Sequence, residues 1–262
     1  MRTQAGRLYH RSVEKYVVVD KSEGETPLQA LERFRATRPD LSHEKMTYAG
    51  RLDPMATGQL ILLIGEECKN KDAYTALEKE YEFEILFGAS TDTGDVLGLI
   101  TSYAALQPLV PYDEILQAGT FTLPYPAYSS KTVDGVPLFQ HALEGRLHDI
   151  RIPVREMTVQ EVSFIGARTM TGTVIRSDVM ERTRLLSYDE FGPEENDFRE
   201  NLVRASWADF PDGVYTVARY RARVTGGTYI RSLVQDAGKR MRIPVLAYSI
   251  KRTRVFGLST VS

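Results

Sequence analysis

The 262-residue sequence predicts an α+β fold, and three observations carry that expectation. Strand and helix signals are interleaved without a strict strand–helix–strand rhythm, which argues against a doubly wound sheet. Residues 80–87 and 214–224 alternate between apolar and charged side chains, as half-buried antiparallel strands do. Residues 60–64 form an uninterrupted apolar run, the mark of a buried strand.

Taken in order, residues 17–19 read as a strand that runs into a turn over 20–24. Thr26 follows as a helix N-cap, with Pro27 at the first helical position and Gln29 completing a capping box. Leu28, Leu31 and Phe34 give that helix its apolar stripe, and it stops before Pro39. Along 80–87, Tyr81, Phe83, Ile85 and Phe87 share one face, and Glu80, Glu82 and Glu84 share the other. Tyr81 on this pattern alone is a core or rim aromatic. Residues 124–153 are rich in Pro, Gly and Ser, with one helical piece near Leu138–Leu143; a loop this long inside a domain tends to be functional. Over 214–224, Arg219, Arg221 and Arg223 point one way, and Ala218, Tyr220, Ala222 and Val224 the other. Gly226 and Gly227 break the strand, and Thr228 is placed to cap a helix. In that helix Ile230, Leu233, Val234, Ala237 and Met241 recur at helical spacing, and Pro244 ends it.

The segment Gly50-Arg51-Leu52-Asp53-Pro54-Met55-Ala56-Thr57-Gly58 sets one carboxylate on a glycine-bracketed turn just ahead of the buried strand. Pro54 drives Asp53 toward an extended backbone. A lone acid on a rigid loop suits a nucleophile or general base; a tight turn closed by an Asx-type hydrogen bond is the plainer alternative. Arg231 falls in the first turn of its helix, where a cation opposes the helix dipole at up to about 1 kcal/mol. An anion nearby would offset this. Asp53 is one candidate partner, and a phosphate or a loop carbonyl is the other.

On these residues the chain resembles the TruB-type tRNA pseudouridine synthases. Residues 50–58 match the family's Gly-x-Leu-Asp-Pro-x-Ala-Thr-Gly signature. Lys79-Glu80-Tyr81 is similar to its Lys-x-Tyr element, with Thr91-Asp92-Thr93-Gly94-Asp95 close behind. Ala127-Tyr128-Ser129-Ser130-Lys131, followed by Gly135 and Pro137-Leu138-Phe139, is similar to its Tyr-Ser-Ala-x-Lys segment, and Gly227-Thr228-Tyr229-Ile230-Arg231 matches a further element. The likeness runs from about residue 17 to 257. It implies a pseudouridine synthase fold: a mixed, mostly antiparallel central sheet flanked by helices and loops, with a thumb-like insertion at about 124–153. The expected organisation is a single catalytic domain over 1–262 without a separate appended RNA-binding (PUA) domain.

The resemblance further implies isomerisation of uridine to pseudouridine in the T-loop of tRNA, with Asp53 as the essential carboxylate. Attack at the ribose C1′, removal of a ribose proton and addition to the base all stay open as its route. Tyr81 would stack on the extruded uracil and assist loss of the C5 proton. Tyr229 and Arg231 would hold the base and Asp53, and Ile250 would close the base pocket. Lys21 and Gly24 survive from the family's first motif, as does Thr26, and the resemblance implies that Lys21 and Gly24 contact the substrate. Tyr48 stands where the family has a histidine beside the target nucleotide. The reaction is redox-neutral, so no cofactor is expected. The expected partner is tRNA through its T-arm, bound by a monomer in the cytoplasm, with no membrane and no metal. Two alternatives remain: a synthase acting on ribosomal RNA, since Arg51-Leu52-Asp53 also resembles an element there, and a tRNA-folding chaperone with weak catalysis.

Composition excludes other classes. The single cysteine, Cys68, rules out an internal disulfide and a cysteine-based zinc cluster. No apolar stretch reaches membrane-spanning length, and no glycine-rich dinucleotide or Walker-type loop is present. His10, His43, His141 and His148 lack metal-site spacing and read as surface residues or RNA contacts. Net charge is −2, yet ten Lys or Arg fall between Arg219 and Arg254 against Asp236 alone, which predicts a localised phosphate-binding face. The acidic insert over 187–202 receives no role.

Overall fold

The alternation along 80–87 becomes the middle strand of the molecule. A computed structural model describes residues 14–104, 111–187 and 199–258. Its strands are β1 (Tyr16–Lys21), β2 (Met46–Ala49), β3 (Ala56–Ile64), β4 (Lys79–Phe87), β5 (Ala89–Thr91), β6 (Ile100–Tyr103), β7 (Gly119–Pro124), β8 (Thr132–Val133), β9 (Val136–Pro137), β10 (Val154–Thr171), β11 (Val214–Val224) and β12 (Val245–Val255). The helices are α1 (Pro27–Ala36), α2 (Lys71–Ala76), α3 (Tyr112–Ile115), α4 (Leu138–Leu143), α5 (Gly172–Arg184), α6 (Glu200–Ala208) and α7 (Ile230–Met241).

Among the described residues an eight-stranded sheet runs β1-β3-β12-β4-β11-β10-β7, with β2 paired to β3. Only the β3–β12 pairing in it is parallel. The fold is therefore α+β with a mixed, mostly antiparallel sheet, as expected. Tyr81, Phe83, Ile85 and Phe87 are buried on one face of β4 in the main core. On α1 the capping box forms: the Gln29 amide donates to Thr26 Oγ1 at 3.2 Å, and the Thr26 amide donates to Gln29 Oε1 at 2.6 Å. Two predicted details differ. Leu28 is 55% exposed, because the first turn of α1 stands beside a cavity instead of over the core. The α7 cap is Tyr229, which makes no side-chain cap bond; Thr228 instead pairs with Thr225.

Two long excursions leave the sheet and return to the register they left. Pro124 pairs directly with Val154, so residues 125–153 form the first, carrying β8, β9 and α4. Thr171 pairs directly with Val214, so 172–213 form the second, carrying α5 and α6. The second is anchored by buried Ile175, Val179, Val203 and Trp207, and the Trp207 indole donates to the Gly98 carbonyl at 3.0 Å.

The predicted phosphate-binding face is corrected in part. Arg219, Arg221 and Arg223 lie on the sheet face opposite Tyr81, in register with Glu84, Glu82 and Glu80. Arg219 and Arg221 both pair with Glu82, Arg223 pairs with Glu78, and Arg168 of β10 pairs with Glu84. Glu82 and Glu84 of β4, with Glu78 just before it, thus consume basic charge that a count along the chain leaves open. His141 is also corrected: it is 4% exposed, with Nε2 3.3 Å from the Val133 carbonyl, inside the first excursion. His43 and His148 are exposed, and His10 lies outside the described residues.

Candidate active site

The loop bearing Asp53 is held rigid from below by buried cations. Arg252 is 1% exposed and donates to the carbonyls of Gly50 (3.0 Å), Arg51 (2.9 Å) and Gln59 (3.0 Å) and to the Tyr81 hydroxyl (3.1 Å). Lys21 is fully buried and donates to the carbonyls of Ser22 and Glu25, with Pro54 at 3.4 Å. Burial pulls the Lys21 amine down to about 8. The Gly24 amide adds a 2.9 Å bond to the same Pro54 carbonyl. Gly58, the third residue of β3, sits at φ +97°, and a Cβ there would fall 2.2 Å from the Arg252 carbonyl. Only glycine accepts both that backbone and that approach. The Ala56 amide closes the turn onto the Asp53 carbonyl at 2.9 Å.

Arg231 meets this loop from α7. Its Nε donates to Asp53 Oδ2 at 2.8 Å, Nη1 to the Thr93 carbonyl at 2.8 Å and Nη2 to the Tyr128 carbonyl at 3.1 Å. Asp95 Oδ2 lies 3.5 Å from the same Nε. The Arg231 side chain is 3% exposed and Asp53 is 32% exposed, so the guanidinium is buried and the carboxylate reaches solvent. Burial works against the Arg231 charge, but Asp53 and Asp95 outweigh it and hold its pKa above the ordinary arginine value. Burial raises the Asp95 carboxyl, with Arg231 pulling the other way. The unfavourable first-turn cation is thus compensated by a carboxylate and two carbonyls.

Asp53 and Arg231 line a cavity of about 420 Å³, a size typical of small-ligand sites. Tyr48 and Leu28 stand on its wall, with Tyr128, Phe139 and Leu143 from the first excursion and Leu186 and Arg199 from the second. Tyr48 carries cationic neighbours, with Lys71 Nζ 5.0 Å and the Arg51 guanidinium 6.0 Å from its ring centre.

The other expected site residues sit differently. Tyr81 (7% exposed) and Ile250 (5%) are in the core beneath the loop and do not line the cavity. Tyr229 is half-buried, its ring 5.6 Å from that of Tyr125. Burial raises its hydroxyl, and the charge of Asp53 adds to the shift. Lys21 and Gly24, expected to touch substrate, instead brace the Pro54 carbonyl from inside, because buried carbonyls take up the Lys21 amine. Asp95, Arg199 and Arg252 were not singled out from sequence. Arg252 had a signal: strand period two puts it on the face of Tyr248 and Ile250, which are both buried. Among the described residues no cluster of His, Cys, Asp or Glu is arranged to hold a metal, and no helix is long and apolar enough to cross a membrane.

Comparison with known proteins follows the same residues. Residues 38–180 match the model of the TruB family pseudouridylate synthase (N terminal domain). The tRNA pseudouridine synthase B of Opitutus terrae is 28% identical over 247 residues, covering 93% of this chain and 81% of that protein. The tRNA pseudouridine synthase 4 of Saccharomyces cerevisiae is 29% identical over 251 residues, covering 82% of this chain and 61% of that protein. The chain thus spans most of the first and somewhat under two thirds of the second. A chain in the crystal structure of a Cbf5-Nop10-Gar1 complex shares the fold, with a TM-score of 0.52 at 17% identity over 92% of this chain and 48% of that one. With more than half its length matched by the family model, the chain belongs to the TruB family of pseudouridylate synthases.

Proposed function

We propose that the cavity is where a uridine of the tRNA T-loop is isomerised to pseudouridine, with Asp53 as the acting carboxylate. The observation that carries this reading is the 2.8 Å bond from Arg231 to Asp53 on the cavity wall. The reaction breaks the N1–C1′ glycosidic bond, turns the base and joins C5 to C1′; C5 loses its proton and N1 gains one. Electrons balance without an oxidant or reductant. A carboxylate fixed by a charge-assisted bond on the cavity wall is preorganised for each of the routes open to it.

The target base must leave its stack first, which costs a few kcal/mol. Stacking on an aromatic returns about 1–3 kcal/mol. Tyr48, Tyr128 and Phe139 offer rings on the cavity wall. Tyr81 reaches the base only once its cover shifts, because it is 7% exposed with its hydroxyl held by Arg252. Lys21 and Gly24 act through the Pro54 carbonyl, as positioning residues. We further propose that the chain works as a monomer in the cytoplasm and engages the T-arm. The relatives' names refer to tRNA, which supports that choice.

The test is tritium release. The purified protein is incubated with tRNA transcript, and separately with ribosomal RNA, each labelled at uracil C5, and the product is mapped. Release at a T-loop uridine supports the reading. Release from ribosomal RNA alone overturns the choice of substrate, and tight tRNA binding without release overturns the activity.

A further inference from the structure

Arg199 reaches the cavity from the second excursion, the part of the chain for which the sequence offered no role. It stands at the N-cap of α6 at φ 58°, a left-handed backbone uncommon for a non-glycine residue. The helix behind it is fixed: Val203 and Trp207 are buried, and Ser206 Oγ accepts from the Ile100 amide at 2.9 Å. Its guanidinium carbon lies 4.2 Å from the centre of the Tyr128 ring. Nη1 donates to Asp92 Oδ2 at 2.6 Å and to the Tyr128 hydroxyl at 2.8 Å, and Nη2 reaches Asp92 Oδ1 at 3.3 Å. Tyr128 in turn donates to Asp92 Oδ2 at 3.1 Å. Burial, reinforced by Asp92, pushes the Tyr128 hydroxyl up to about 12, so it stays a neutral donor. Asp92 itself accepts from the Leu99 amide at 2.8 Å.

The two residues clamped here lead straight to Arg231. Its guanidinium plane is set by the carbonyls of Thr93, one residue past Asp92, and of Tyr128 itself. These segments come from distant parts of the chain, and Arg199 ties them together. We propose that Arg199 is a positioning residue for the isomerisation: by clamping Asp92 to Tyr128 it fixes the carbonyl pair that aims Arg231 Nε at Asp53. This rests on the reading of Asp53 as the acting carboxylate. Misplacing a catalytic group by about 1 Å costs on the order of a hundredfold in rate, so a clamp two contacts away has leverage on the chemical step.

The test uses the full chain with Arg199→Ala and Arg199→Lys. At saturating RNA, the single-turnover rate of Arg199→Ala should fall by about tenfold or more, while the RNA dissociation constant stays within about threefold. Arg199→Lys keeps the charge on Asp92 but loses the planar stack and fork, so it should recover only part of the rate. A direct readout is the Arg231 Nε–H signal in nitrogen-resolved NMR, which should be slowly exchanging in wild type and broadened or lost in Arg199→Ala. Should Arg199→Ala fail to fold, Tyr128→Phe, which removes the hydroxyl that Arg199 holds, is expected to weaken that signal in the same way. An unchanged Arg231 signal in a folded variant overturns the proposal. So does a variant that loses RNA affinity and salt sensitivity while keeping its saturated rate, which would make Arg199 a phosphate contact. If wild type forms no pseudouridine, the functional reading fails by itself, and the NMR signal still decides whether the clamp aims Arg231.

Discussion

Replacing Arg252 with Met should loosen the whole Asp53 loop. The guanidinium is 1% exposed and satisfies the carbonyls of Gly50, Arg51 and Gln59 and the Tyr81 hydroxyl. Each buried acceptor left without a donor costs about 1–3 kcal/mol. The four share one side chain, and the loop will relax toward water once it is gone, so the terms do not add in full. Desolvating the guanidinium also cost stability, and Met removes that penalty. The net expectation is a loss of about 3–5 kcal/mol, from a few such unmet acceptors less the recovered desolvation of the cation. That is a large fraction of the roughly 5–15 kcal/mol that holds a domain folded. Urea unfolding gives the value: the midpoint should drop sharply with little change in slope. Arg252→Lys should lie between the two, since one amine cannot serve both Tyr81 and three carbonyls. A Met variant within about 1 kcal/mol of wild type would refute the idea that this cation braces the loop.

Two further expectations concern the frame of the site. Gly58→Ala sets a Cβ 2.2 Å from the Arg252 carbonyl at φ +97°, so β3 and β12 must part; urea melts should show a loss of about 1–3 kcal/mol. Glu84 is pushed up by burial, but the hydrogen bond and charge of Arg168, with Ser249, bring it below its ordinary value. Its contribution is therefore complete above the unfolded carboxyl value and is lost as pH falls through the lower, folded value. Glu84→Gln should cost about 1 kcal/mol at pH 7 and progressively less as the pH falls below the ordinary carboxylate range and the wild-type pair is lost; a cost that does not shrink with falling pH would contradict the sign.

How far the sequence could be read depends on the range of each interaction. The β4 alternation and the α1 capping box are local, and both stand as expected, down to the paired Thr26 and Gln29 bonds. The pairing of Asp53 with Arg231 joins residues far apart in the chain. It was legible because a cation in a helix's first turn needs an anion, and a motif-bearing acid was at hand. What stayed hidden was cross-strand and cross-excursion chemistry. Counting basic residues from 219 to 254 could not reveal that Glu82 binds two of them from the neighbouring strand. Lys21 looked like a substrate contact because nothing in its sequence neighbours shows the carbonyls that surround its amine. Arg199 was invisible for a similar reason. It gains meaning only when the 172–213 excursion folds back over Tyr128, and no periodicity encodes that return.

The most direct test of the central claim separates binding from chemistry at Asp53. Wild type and Asp53→Asn are compared on the same T-arm RNA, with affinity read by fluorescence anisotropy and product by tritium release in a single turnover. The account predicts that the variant binds within about threefold of wild type and forms no measurable pseudouridine, since the amide cannot act as nucleophile or base. Pseudouridine formed by Asp53→Asn at a rate near that of wild type would contradict it.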